Sequence, residues 1–214
     1  MILVQMLVLG RTGTGKTFRV NRVIEEYKGK VLFCDPTFNF QGIQDIRQIT
    51  NRKIDYINLD FSNNDFDVLV EYLFQLYQQN KYPHRLLLVI DEADLLCRTF
   101  SDCMERIATK SRRFFDVIYI SQRPSLLRTT NGYVVATQCD RYMLFAMRDI
   151  DYNVCIKHFG LEITDAMKEF LAEKYNYIIT DGMQYVGYDK VGKAIKTFGG
   201  VQNVARGRGE NQTD

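Results

Sequence analysis

Four stretches of the chain are apolar at almost every position: "ILVQMLVL" near the start, then "KVLFC", "RLLLVI" and "DVIYIS". The first, third and fourth show no alternation, the pattern of strands covered by helices on both faces of their sheet. Between them the apolar period lengthens. "TFRVNRVIEEYKG" predicts a helix ending at Gly29, and "NDFDVLVEYLFQLYQQ" a second one, capped by Asn64 or Asp65. "SDCMERIATKSRR" predicts a third, opened by Ser101 with Glu105 nearby. Strands alternating with helices argue for a parallel sheet built from right-handed crossovers.

The last third of the chain has a different rhythm. "YVVAT" and "RYMLFAM" predict further strands, and "DYNVCIKHFG" and "TDAMKEFLAEKY" predict helices, the second capped by Thr164 or Asp165. "YNYIITDGMQYVGYD" predicts a hairpin turning at Asp181-Gly182, because Asp-Gly tolerates the positive φ of a tight turn. From Gly199 the sequence "GGVQNVARGRGENQTD" turns glycine-rich and polar, which predicts a flexible tail over 199–214. No repeat or linker divides what precedes it, so residues 1–198 are expected to form one domain.

Composition adds limits. An apolar fraction of 46% and a charged fraction of 25% in 214 residues are those of a soluble globular protein able to bury a core. A net charge of +2 decides nothing about partners. Cysteines stand at 34, 97, 103, 139 and 155 without a CxxC spacing, and with two histidines they form no recognisable metal motif. Reduced, mostly buried thiols in a cytosolic compartment are expected. The first nine residues lack a basic leader and a small-residue cleavage site, and no run reaches the ~18 apolar residues of a membrane span.

The chemistry begins where the first strand ends. In "GRTGTGKT", Gly10, Gly15, Lys16 and Thr17 satisfy G-x-x-x-x-G-K-[ST]. In that pattern glycines let backbone N–H groups wrap phosphates, lysine reaches the β- and γ-phosphates, and the threonine hydroxyl meets magnesium. Arg11, Thr12, Gly13, Thr14 and Phe18 complete the expected nucleotide-contacting set, at a helix start that adds its positive dipole end. The alternative, an ordinary glycine-rich turn, does not account for its place between an apolar strand and a helix. Downstream, "RLLLVIDEAD" runs into Asp91 and Glu92, two carboxylates at the strand edge where ligands of open α/β sheets gather. Asp91 would hold magnesium and Glu92 would act as general base on water. A polar end to the apolar run "VIYISQRP" points Ser121 and Gln122 at the same edge, near the γ-phosphate, unless Pro124 simply terminates the strand in a turn.

In their order and spacing these pieces resemble the FtsK–HerA superfamily of DNA-pumping ATPases. The resemblance runs through most of residues 1–188 and includes "VLFCDPT", "LLLVIDEAD" and "SQRP". The short chain is most similar to the superfamily's compact viral branch, the genome-packaging ATPases of viruses with an internal membrane. The resemblance implies a three-layer α/β P-loop NTPase fold of the RecA-like, ASCE type, with a mainly parallel central sheet and a C-terminal antiparallel hairpin. In it the "DVIYIS" strand lies between the P-loop strand and the Asp91 strand. Gln122 would then sense the γ-phosphate. The resemblance further implies a homo-oligomeric ring, a pentamer or hexamer, around double-stranded DNA, with ATP and magnesium bound between neighbours. Capsid or membrane vertex proteins would be its partners, in the host cytoplasm or at the packaging vertex of the virion. Such a site takes an arginine in trans. Arg141 in "CDRYMLF" is the first candidate, and Arg112 or Arg113 in "KSRRFF" are the others.

Translocation that ignores sequence needs contacts to phosphates. Arg98, Arg106, Lys110, Arg112 and Arg113 mark one candidate pore segment, and Lys193, Lys196, Arg206 and Arg208 a second; either could instead be a solvated face. Phe38 and Phe40 in "DPTFNFQG" could meet the adenine or a neighbouring subunit, or belong to an ordinary loop. The competing functions are a phage extrusion or secretion ATPase, an ATP-dependent assembly switch that moves no DNA, and a small-molecule kinase. Glu92 argues against a switch, which has little need of a dedicated base, and no acceptor motif supports a kinase.

Overall fold

The computed structural model describes residues 5–37, 42, 49, 52–58, 65–79, 85–128 and 130–199. The expected tail beyond Gly199 with Arg206 and Arg208, Phe38 and Phe40, and the Asn64 cap lie outside the described residues.

Among the described residues one sheet of nine strands organises the fold, in the order β3-β2-β4-β5-β1-β6-β7-β8-β9. The strands are β1 (Gln5–Leu9), β2 (Lys30–Cys34), β3 (Ile54–Ile57), β4 (Leu86–Ile90), β5 (Phe115–Ser121), β6 (Arg141–Leu144), β7 (Tyr177–Thr180), β8 (Tyr185–Tyr188) and β9 (Ala194–Phe198). The first six pair in parallel and the last three add in antiparallel fashion. As the resemblance implied, β5 separates β1 from β4.

Alternate residues of the fully buried strands feed two cores. Met6, Val8, Val89 and Ile118 face α1 (Lys16–Glu26) through Val20 and Ile24. Leu7, Leu9, Leu88 and Val117 face the other side, in a larger core shared with α2 (Asp65–Gln78), α3 (Ala93–Thr99), α4 (Ser101–Lys110), α5 (Thr130–Gln138), α6 (Asp149–Phe159) and α7 (Asp165–Ala172). Helices therefore cover both faces, which is why these strands read as continuous apolar runs.

The predicted helices form with shifted ends. α1 stops at Glu26 rather than Gly29, because Tyr27 is already extended. α7 is capped by Thr164, whose hydroxyl accepts from the Met167 N–H at 3.3 Å. The hairpin turns where expected: Gly182 has φ 91°, and the Asp181 carboxylate accepts from the Met183 and Gln184 N–H groups, each at 2.9 Å.

One predicted strand is wrong. "YVVAT" lies inside α5, where Val135 and Ala136 are buried and Tyr133 and Thr137 face outward. β-branched content suggested a strand, but packing against α4 selects the helix. β3, β9 and α3 were not anticipated; β9 is an edge strand exposed at all but its last position.

Candidate active site

The glycine-rich loop begins as β1 leaves the sheet. Gly10 is held by its N–H donating to the Ser121 carbonyl at 3.3 Å, and Arg11 by its own donating to the Ala146 carbonyl at 3.0 Å. Both flanking strands thus pin the loop. A Cβ at Gly10 would sit 2.6 Å from the Phe145 Cβ, so this position requires glycine. Gly15, at φ 100°, turns the chain into α1.

Lys16 is buried, and its ammonium donates to the Gly10 carbonyl at 2.6 Å and the Arg11 carbonyl at 3.0 Å. Burial lowers its pKa, against the opposing pull of Asp91, Glu92 and Asp94. The Thr14 hydroxyl donates to the Arg11 carbonyl at 2.8 Å and stiffens the loop from within.

Across from the loop, β4 delivers its carboxylates. The Asp91 N–H donates to the Cys34 carbonyl at 3.0 Å, tying the ends of β2 and β4 together. Burial raises the pKa of Asp91, and buried Asp35 beside it adds to the rise. Glu92 turns sharply out of the strand at φ 47°, in the left-handed region that a non-glycine residue enters at a cost of about 1–2 kcal/mol. Its N–H donates to the Asp91 carboxylate at 2.9 Å, and its carbonyl accepts from Leu95 at 2.8 Å at the start of α3. These bonds hold the strained turn. The pKa of Glu92 is raised by burial first, then by the charges of Asp91 and Asp94.

Gln122, just past β5, joins the two halves. Its side-chain N–H donates to the Glu92 carboxylate, and its carbonyl accepts from the Thr12 hydroxyl in the loop. Thr12, Gly13, Gly15, Lys16, Thr17, Phe18, Asp91, Glu92, Gln122 and Tyr175 line one cleft of about 430 Å³. That volume is within the ~300–1,000 Å³ of small-molecule sites.

The sequence expectation fails for Ser121. Its hydroxyl turns inward, donating to the buried Asp94 carboxylate at 2.7 Å, and the residue does not line the cleft. Asp94 itself was not anticipated, although its three-residue spacing from Asp91 places it one helical turn below the strand end.

The candidate arginines stand elsewhere. Arg141 opens β6 opposite Met6, whereas the loop follows Leu9 at the other end of β1. Arg112 precedes β5 at that same far edge, where its guanidinium pairs with Asp140 at 2.7 Å and donates to the Gln138 carbonyl. Within one chain neither meets Lys16. Of the candidate DNA-contacting residues, Arg106 is pinned to Glu71 at 2.5 Å and lies 4.5 Å from the Phe74 ring centroid. Arg98, Lys110, Arg113, Lys193 and Lys196 are exposed.

A family model described as an AAA domain matches residues 5–128, from β1 past Gln122. Comparison with curated proteins gave no match. Among solved structures, the chain is similar to the genome packaging NTPase B204 from Sulfolobus turreted icosahedral virus 2 in complex with AMPPCP. The TM-score is 0.55 at 18% identity, over 94% of this chain and 98% of that one. VirB4 of Thermoanaerobacter pseudethanolicus gives a TM-score of 0.66 at 11% identity, over 89% and 90%. The cytoplasmic domain of the type VII secretion ATPase EccC of Thermomonospora curvata gives 0.56 at 16%, over 94% of this chain and 26% of that one. These likenesses concern the fold. Among the described residues no helix is long and apolar enough to cross a membrane. With its glycine-rich loop, the acidic strand end facing it and the matching family model, the chain belongs to the AAA domain family and is a P-loop ATPase.

Proposed function

We propose that this ATPase is a motor that pulls double-stranded DNA through a ring of its own copies, loading a viral genome into a capsid. The observation that carries the reading is the bridge from Thr12 through Gln122 to Glu92. It couples the phosphate-binding loop to a carboxylate suited to act as a base, as a hydrolytic engine requires. A bind-and-release switch has no need of it.

Glu92 takes the proton of the attacking water. Its raised pKa brings it closer to neutrality, where a general base works best. Lys16 leaves the Gly10 and Arg11 carbonyls to neutralise charge on the β- and γ-phosphates. Gln122 reports the γ-phosphate to Glu92, since both its amide atoms are already committed to groups flanking that position. Thr17 and Asp91 offer hard oxygen donors in the same cleft, a set that fits magnesium shared with the phosphates. Bound there, the ion would neutralise developing phosphoryl charge. Arg141 or Arg112 would serve the cleft of a neighbouring chain.

Displacement of a third strand from a DNA triplex tests the movement itself. The wild-type chain with ATP should strip the triplex strand from a long duplex, and Glu92→Gln should not. ATP hydrolysis without displacement would sink the DNA-motor reading. It would favour the extrusion or secretion ATPase instead, a reading supported by the fold likeness to VirB4 and EccC.

A further inference from the structure

Tyr175 has no part in the chemistry above, yet it lines the same cleft as Lys16 and Thr17. It has φ 72°, a backbone conformation that is unusual for a bulky side chain. The turn is pinned from beside it: the Asn176 side-chain amide donates to the Phe170 carbonyl at 3.1 Å and the Glu173 carboxylate at 3.0 Å. The residue is 42% exposed, so no core burial offsets the strain. Strain of this kind, held by its surroundings and spent on an exposed group, gathers at ligand sites.

Topology says which part of a ligand would meet it. Glu92 and Gln122 follow β4 and β5, on one flank of β1, and on the proposed reading mark the γ-phosphate end of the cleft. β6 and β7 lie on the other flank, and Ile178 at the start of β7 pairs with Leu144 at the loop end of β6. Tyr175 therefore stands at the loop edge, across β1 from Glu92. A Cβ at Gly15 would lie 3.0 Å from its ring. Phe18, 56% exposed in the first turn of α1, lines the cleft as well. The polar lining side chains Thr12, Lys16, Thr17, Asp91, Glu92 and Gln122 all belong, on that reading, to the phosphate end.

We infer that Tyr175, with Phe18, is the platform on which the purine base of the nucleoside triphosphate stacks, an inference that rests on the nucleotide reading of the cleft. Recognition is by ring face, so adenine and guanine are held alike. The Lys174 ammonium, 4.9 Å from the Tyr175 ring centroid, adds a cation to the stack.

The chain has no tryptophan, so Tyr175→Trp creates a single reporter. Its emission should be quenched by ATP and by GTP but not by tripolyphosphate, which has no base. Tyr175→Gly, which removes ring and strain together, should bind ATP roughly tenfold more weakly. It should bind tripolyphosphate as before, with Tm unchanged or raised. Tyr175→Phe should bind ATP like the wild type. Equal emission with ATP and tripolyphosphate, or parallel loss of both ligands in Tyr175→Gly, would overturn the platform. Quenching by ATP alone would overturn its indifference to the base. If Lys16→Ala bound ATP undiminished, the underlying nucleotide site would fall as well.

Discussion

The side-chain amide of Gln122 donates to the carboxylate of Glu92, joining the end of β5 to the turn that follows β4. The bond fixes a carboxylate that strained backbone already aims into the cleft. On the proposed reading, a base held this way is ready before substrate arrives. Replacing it by Glu92→Gln keeps the shape and removes the proton acceptor. Phosphate release should fall at least ~100-fold, with ATP affinity retained in equilibrium binding. A loss below tenfold would reduce Glu92 to a structural group.

Thr12 occupies a variable position of the loop motif, yet its hydroxyl donates to the Gln122 carbonyl. Thr12→Val keeps the branched shape and breaks that bond. We expect kcat to drop about tenfold with KM little changed, the mark of a group acting in the transition state. The loss should vanish in a Gln122→Ala background, because the two residues act through one bond. Additive losses would show that Thr12 acts independently.

Titration should bound the activity from both sides. Burial raises the pKa of Glu92, so turnover should fail on acidification earlier than an ordinary glutamate would impose. Burial lowers that of Lys16, so turnover should also fail on the alkaline side before an ordinary lysine discharges. For stability the sign reverses. A carboxylate whose folded pKa is raised favours folding below its unfolded pKa and loses that benefit as pH rises through the folded value. Ionised Glu92 therefore costs stability at neutral pH, and Glu92→Gln should melt higher than wild type at pH 7 and match it more closely in acid. A pH-independent difference in Tm would contradict this.

Arg141 and Arg112 stand at the sheet edge away from their own loop. If Arg141 completes a neighbour's site, Arg141→Ala and Lys16→Ala chains should each be inactive and regain turnover when mixed. Should mixing fail, the same test with Arg112→Ala follows. There the Asp140 partner must first let go, so a weaker recovery is expected.

How far the sequence carried this account depended on how local each cause was. The loop motif and the Asp91-Glu92 pair are two short contiguous stretches whose proposed roles rest on type and spacing, and the structure brings residues of both into one cleft. Continuous apolar runs gave the buried parallel strands. "YVVAT" misled because its nine-residue helix is decided by what α4 buries, which an aromatic followed by β-branched and small residues does not announce. β9 was missed because an exposed edge strand has no apolar face to show. Ser121 and Gln122 are neighbours of like polarity, and only the pleat sends one to Asp94 and the other to Glu92. Tyr175 stands among tyrosines whose type suggests core or subunit interface, and nothing in the sequence sets it apart, since its meaning lies in a backbone angle that its residue type disfavours.

Phosphate release by the wild-type chain, measured against linear duplex DNA of increasing length at fixed total base pairs, tests the motor most directly. The account predicts turnover that rises with duplex length and is abolished by Glu92→Gln. Turnover indifferent to DNA, at any length, would contradict it.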